Sequence, residues 1–137
     1  MSRVHVHPVH VYYEDTDFSG VVYHANYLRY FERAREHLIG VHELVRLWKE
    51  DGAGFVVYKA DLTFKEGAVH GDILEIRTTL TRESEWRLRF DHAAWRPGGT
   101  APLVTCKLDL VTVDRQQKLI PLPPRVIEAL DRWETDG

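Results

Sequence analysis

At 137 residues, 44% hydrophobic and 28% charged, the chain has the size and composition of one globular domain spanning 1–137. A net charge of −3 and a pI near 6.2 exclude the basic footprint of a nucleic-acid-binding domain, and no apolar run approaches the ~18 residues of a membrane span. Cys106 is the single cysteine, which excludes an internal disulfide and a cysteine-based zinc site; with no apolar stretch or cleavage signal in residues 1–8, a cytoplasmic location is expected.

Residues 4–13 alternate, with Val9, Val11 and Tyr13 on one side, and predict a first strand that Pro8 restricts to an edge or bulge. Tyr27, Tyr30, Phe31, Ala34 and Leu38 then follow the i, i+3, i+4, i+7 spacing of an amphipathic helix. Started at Val22 or Ala25 and ended at Ile39, that helix is about 24 Å long at ~1.5 Å per residue. Gly40 is its expected C-cap, and Val41, Leu44, Val45 and Trp48 predict a second helical segment ending near Asp51 and Gly52.

From Phe55 the period becomes two: Val56, Tyr58, Ala60, Leu62 and Phe64 share one face of a strand, and His70-Gly71-Asp72 forms a turn. Leu74 to Leu80 and Trp86 to Ala94 give two more strands joined by a tight hairpin. After Pro97-Gly98-Gly99 another runs from Val104 to about Val113. A last helix is expected over Pro124 to Trp133, with proline in its first turn. The short connections permit only antiparallel pairing. The class is therefore α+β, a five-stranded antiparallel sheet around one long helix plus a C-terminal helix.

Asp17 lies a few residues before the long helix, whose first N–H groups lack intrahelical acceptors and whose peptide dipoles make that end partly positive. That end stabilises an ionised carboxylate, and equally an oxyanion formed when a carbonyl is attacked. The combination outlines an acyl-transfer site. Other nucleophiles fit less well, because Ser2, Ser19 and Ser84 lie outside any G-x-S-x-G and Cys106 sits inside an alternating strand. His5, His7 and His10 read as a solvated strand more than a metal cluster, and His92 as a core histidine; no metal or cofactor is called for. Glu32 and Arg33 are expected to form structural ion pairs.

The stretch Tyr13-Glu14-Asp15-Thr16-Asp17-Phe18-Ser19-Gly20-Val21-Val22-Tyr23-His24-Ala25-Asn26-Tyr27, followed by Phe31-Glu32-Arg33-Ala34-Arg35, closely resembles the hotdog-fold acyl-CoA thioesterases of the 4-hydroxybenzoyl-CoA thioesterase group. The branch it is most similar to is the Tol-Pal-associated YbgC type, and Phe64-Lys65-Glu66-Gly67-Ala68 with Gly71-Asp72 extends the likeness. The resemblance implies a sheet-wrapped helix, a homodimer that extends the sheet or a homotetramer, and hydrolysis of coenzyme A thioesters. Asp17 matches the catalytic aspartate, Tyr13 and His24 match positions implicated beside it, and an N–H near His24 matches the donor that polarises the carbonyl. Phe18-Ser19 departs from the smaller residues usual there, and Glu66-Gly67 from a common proline.

For His24 the roles open are orienting Asp17, binding the attacking water, protonating the thiolate, or plain surface capping. Tyr13 is either a hydroxyl donor or core. Asn26 is expected to support the loop by hydrogen bonding, and Tyr23 and Phe64, with Tyr12, Phe18 and Tyr58, are candidates to line an acyl pocket. Lys59 and Lys65, with Arg87 and Arg89, are candidates for the coenzyme A phosphates. The expected partner is an acyl-CoA, or an acyl carrier protein. Two readings compete with the thioesterase, a hotdog hydratase or dehydratase and a non-catalytic acyl-CoA or acyl carrier protein binding module.

Overall fold

The computed structural model describes residues 3–135. In chain order the elements are β1 (His5–His10), a 3-10 turn (Tyr13–Asp15), α1 (Asn26–Ile39), α2 (Val41–Asp51), β2 (Gly54–Phe64), β3 (Ile73–Arg82), β4 (Arg87–Trp95), β5 (Val104–Val113), β6 (Leu119–Ile120) and α3 (Pro124–Thr135). The strands form one antiparallel sheet in the order β1-β3-β4-β5-β2, with the two-residue β6 paired to the end of β5. A sixth, very short strand is thus added to the five expected.

Strict alternation in β3 and β4 sends Leu74, Ile76, Leu80, Leu88, Phe90 and Ala94 inward, where they bury against Tyr27, Phe31 and Ala34 of α1. Burial of that face, at about 25 cal/mol per Å² of apolar surface, is what fixes the helix to the sheet. α1 also packs on β1, and α3 covers α1 and α2 from outside. Pro8 is tolerated because β1 is an edge strand, paired with β3 alone.

Four local details depart from the sequence reading. The first strand ends at His10, short of Tyr13, because the Asp15 carboxylate accepts the Tyr12 N–H at 2.8 Å and the chain closes into the 3-10 turn. Tyr13 is consequently 79% exposed, where alternation had grouped it with buried Val9 and Val11. The helix begins at Asn26, with Ala25, the later of the two expected starts, as its N-cap; Val22 is too early because Val21 and Val22 are committed to bridges with Val69 and Thr16, and the 14 residues span about 21 Å. In β2 a bulge between Val57 and Lys59 breaks the expected single face, so that Val57 and Ala60 face α1 while Tyr58 lies beside Trp86 and Arg87.

Glu32 and Arg33 form no ion pair among the described residues. His5 and His7 are half-buried, not solvated: His5 meets Trp133 edge-on at 5.3 Å and His7 stacks on His37 at 4.6 Å. His92 is the core histidine expected, held by Thr78 Oγ1 at 2.8 Å and Arg35 Nη1 at 3.2 Å. The residue is 2% exposed. Burial, and then the neighbouring Arg35 guanidinium, depress its pKa to about 3, so it stays neutral.

Candidate active site

The segment before α1 is a tight turn. Asp17 C=O accepts the Gly20 N–H at 3.0 Å, Asp17 N–H donates to Val21 C=O at 3.0 Å, and Gly20 takes φ +87°, which favours glycine. Within this turn Asp17 Oδ1 accepts two hydrogen bonds, from Ser19 N–H at 2.8 Å and Ser19 Oγ–H at 2.5 Å. The Ser19 hydroxyl first, then its amide, hold the Asp17 carboxyl below the usual carboxylate range. Asp17 is exposed and ionised at neutral pH.

Asp17 and His24 line one cavity of about 330 Å³ together with Val21, Tyr27, Phe64 and Lys65. His24 stands edge-on to Phe64 at 6.1 Å and lies beside Tyr23 at 4.6 Å. At the helix start, Asn26 N–H is taken by Tyr23 C=O and Tyr27 N–H by His24 C=O. The N–H groups of His24 and Ala25 have no protein acceptor among the described residues. Two open donors at the positive end of α1, one of them on His24, which lines the cavity with Asp17, suit the formation of an oxyanion.

The far wall of the cavity is the segment after β2. Arg96 ties it down, donating to Glu66 Oε1 at 2.8 Å, Gly67 C=O at 3.2 Å and Asp72 Oδ2 at 3.1 Å. Ala68 N–H donates to Tyr27 Oη at 3.3 Å, linking the wall to α1. Gly67 has no room for a side chain, since a Cβ there would stand 2.6 Å from Val21 Cγ1.

Of the residues singled out in the sequence, Asp17, His24, Phe64 and Lys65 therefore meet at one cavity. Asn26 Nδ2 donates to Asp15 C=O at 2.9 Å and braces the loop. Tyr23 supports it through its N–H to Asp15 C=O and its ring beside His24. Tyr13 lies outside the cavity lining, its ring 5.9 Å from His70. Lys59 also lies outside, in register with Asp109 on the sheet face turned away from α1. No sequence signal marks Ser19, Glu66 or Arg96 as site residues: Ser19 and Glu66 stand out in the sequence only as departures from the family pattern, Ser19 also as a serine outside G-x-S-x-G, and a clamp from the end of β4 has no local signal.

A second hollow, an apolar groove of about 550 Å³, runs between α1 and β2, lined by Leu28, Ile39, Leu47, Phe55 and Val57. Its lining includes Leu28, the residue that follows Tyr27 of the first cavity in α1. Arg35 lines it too, buried and bonded to neutral His92. Among the described residues no group of three or more His, Cys, Asp or Glu side chains is placed to hold a metal, and no helix is long and apolar enough to cross a membrane.

Residues 11–130 match the thioesterase-like superfamily. A Haemophilus influenzae acyl-CoA thioesterase YbgC is 32% identical over 121 residues, covering 87% of this chain and 88% of that protein. The Escherichia coli O6:H1 acyl-CoA thioester hydrolase YbgC is 43% identical over 75 residues, covering 54% of this chain and 56% of that protein, so the match spans about half the length of this relative. The crystal structure of a probable thioesterase from Bartonella henselae superimposes with a TM-score of 0.81 at 32% identity, covering 88% of this chain and 100% of that one. With a helix wrapped by an antiparallel sheet and a family match over residues 11–130, the chain belongs to the thioesterase-like superfamily and has the hotdog fold.

Proposed function

We propose that the protein hydrolyses acyl-CoA thioesters to the free acid and coenzyme A. The observation that carries this reading is the meeting of Asp17 and His24 at one cavity beside the start of α1, where the N–H groups of His24 and Ala25 are open. Asp17 either adds to the thioester carbonyl carbon or removes a proton from a water that adds there. The carbonyl oxygen becomes an oxyanion held by the His24 and Ala25 N–H groups, and collapse of the tetrahedral species expels the coenzyme A thiolate, which takes up a proton. In the direct route, water then cleaves the anhydride formed with Asp17. The homologues named YbgC support the activity, acyl-CoA thioester hydrolysis.

The apolar groove along α1 is proposed to receive the acyl group, and Lys65, at the mouth of the Asp17 cavity, to meet the coenzyme A phosphates. A homodimer or homotetramer is proposed from β2, an 11-residue strand that pairs with β5 alone and leaves Val56, Val57, Tyr58 and Phe64 exposed. An acyl carrier protein is an alternative donor of the acyl group. The second reading, a binding module without turnover, is favoured by the open, solvent-exposed setting of Asp17. Thiol release from a panel of short, long and aromatic acyl-CoA esters separates the two. Turnover that collapses in a folded Asp17→Asn protein is expected; binding of the esters without thiol release overturns the enzyme reading.

A further inference from the structure

The Asp17 carboxylate is held unevenly. Oδ1 accepts both the amide and the hydroxyl of Ser19, while Oδ2 has no donor among the described residues. Ser19 is itself exposed, so its hydroxyl serves no packing need, and its placement follows from the turn closed by Gly20 and Val21.

We propose that Ser19 is a positioning residue, whose hydroxyl locks the rotation of the Asp17 carboxylate so that Oδ2 is the oxygen presented to the thioester or to the attacking water. This rests on the reading of Asp17 as the reacting group. A carboxylate pinned by one donor through its amide can still swing about its terminal torsion, which is broad for aspartate. The second, charge-assisted bond from the hydroxyl removes that freedom. The same bond favours the ionised form, so its loss raises the pH at which Asp17 titrates.

The test compares wild type, Ser19→Ala, Ser19→Thr and Asp17→Asn in steady-state thiol release with the best acyl-CoA ester of the panel, together with a carbon-13 titration of the aspartate carboxyls. For Ser19→Ala the expected result is a fall of about tenfold in kcat with KM unchanged, and an Asp17 carboxyl that titrates at higher pH than in wild type. Ser19→Thr, which restores the hydroxyl, is expected to return kcat to within about twofold of wild type. A Ser19→Ala protein that turns over like wild type beside an inactive Asp17→Asn, a loss that Thr does not rescue, or an unmoved Asp17 titration overturns the proposal alone. An Asp17→Asn protein as fast as wild type, or a wild type without turnover, removes the reading of Asp17 and the proposal with it.

Discussion

Asp17 carries two donors on one oxygen and none on the other, and His24 shares its cavity. If the carboxylate is the reacting group, Asp17→Asn, nearly isosteric, is expected to lower kcat about 10²- to 10⁴-fold while thermal unfolding is unchanged, measured by thiol release and calorimetry. Exposure of Asp17 is the reason stability should not move. His24→Gln separates chemistry from capping: a fall in kcat of about tenfold or more is expected if the ring orients Asp17 or its water, and no change if it merely covers the helix end. Tyr13→Phe is expected to leave turnover near wild type, because its ring sits against His70 outside the cavity.

The cavity depends on how two loops meet, the turn before α1 and the segment after β2. Val21 bridges to Val69, and Gly67 lies where a methyl group would overlap Val21. Gly67→Ala is therefore expected to push these loops apart, destabilising by about 1 to 3 kcal/mol and raising KM, read by denaturant unfolding and steady-state kinetics. Arg96, from the end of β4, is the clamp on the same segment through Glu66, Gly67 and Asp72. The Asp17 turn could be read as a turn because Gly20 announces it. The clamp could not, because its partners are separated from Arg96 by 24 to 30 positions. Alternation gave the buried faces of β3 and of β4 from Leu88 on, whereas it grouped exposed Trp86 with them, did not foresee buried Asp109 in β5, and mis-assigned Tyr13 and Tyr58, since the Tyr12 N–H bond to the Asp15 carboxylate and a bulge each reset the period.

Across the whole molecule, three imidazoles are held neutral by burial. Desolvation lowers the pKa of His5 and His7, and that of His92 falls to about 3. Each binds a proton more readily unfolded, near pH 6.5, than folded. Their contribution is thus fully present above pH 6.5 and is lost as pH falls below it, by up to about 1.4 kcal/mol per pH unit for His92. Unfolding midpoints are expected to drop between pH 6.5 and 4, and His92→Asn to flatten that slope. The unpaired edge of β2 predicts a sedimentation mass that is a multiple of 16.0 kDa, reduced by Val56→Lys, which places a charge on the exposed edge strand outside the α1 groove.

By itself the sequence determined the order of the main elements, the faces of α1 and of the central strands, and the placement of Asp17 before a helix start, because these follow from local period and from turn residues only a few positions apart. The tertiary structure alone decided which candidates meet. His24, Phe64 and Lys65 join Asp17 only when the segment after β2 is brought against the turn before α1, while Tyr13 and Lys59 are turned away by a 3-10 turn and by the outer face of the sheet. The reason is physical: local spacing fixes the direction of a side chain relative to its own backbone, but the convergence of a site is set by contacts between residues tens of positions apart, which the packing of α1 on the sheet creates.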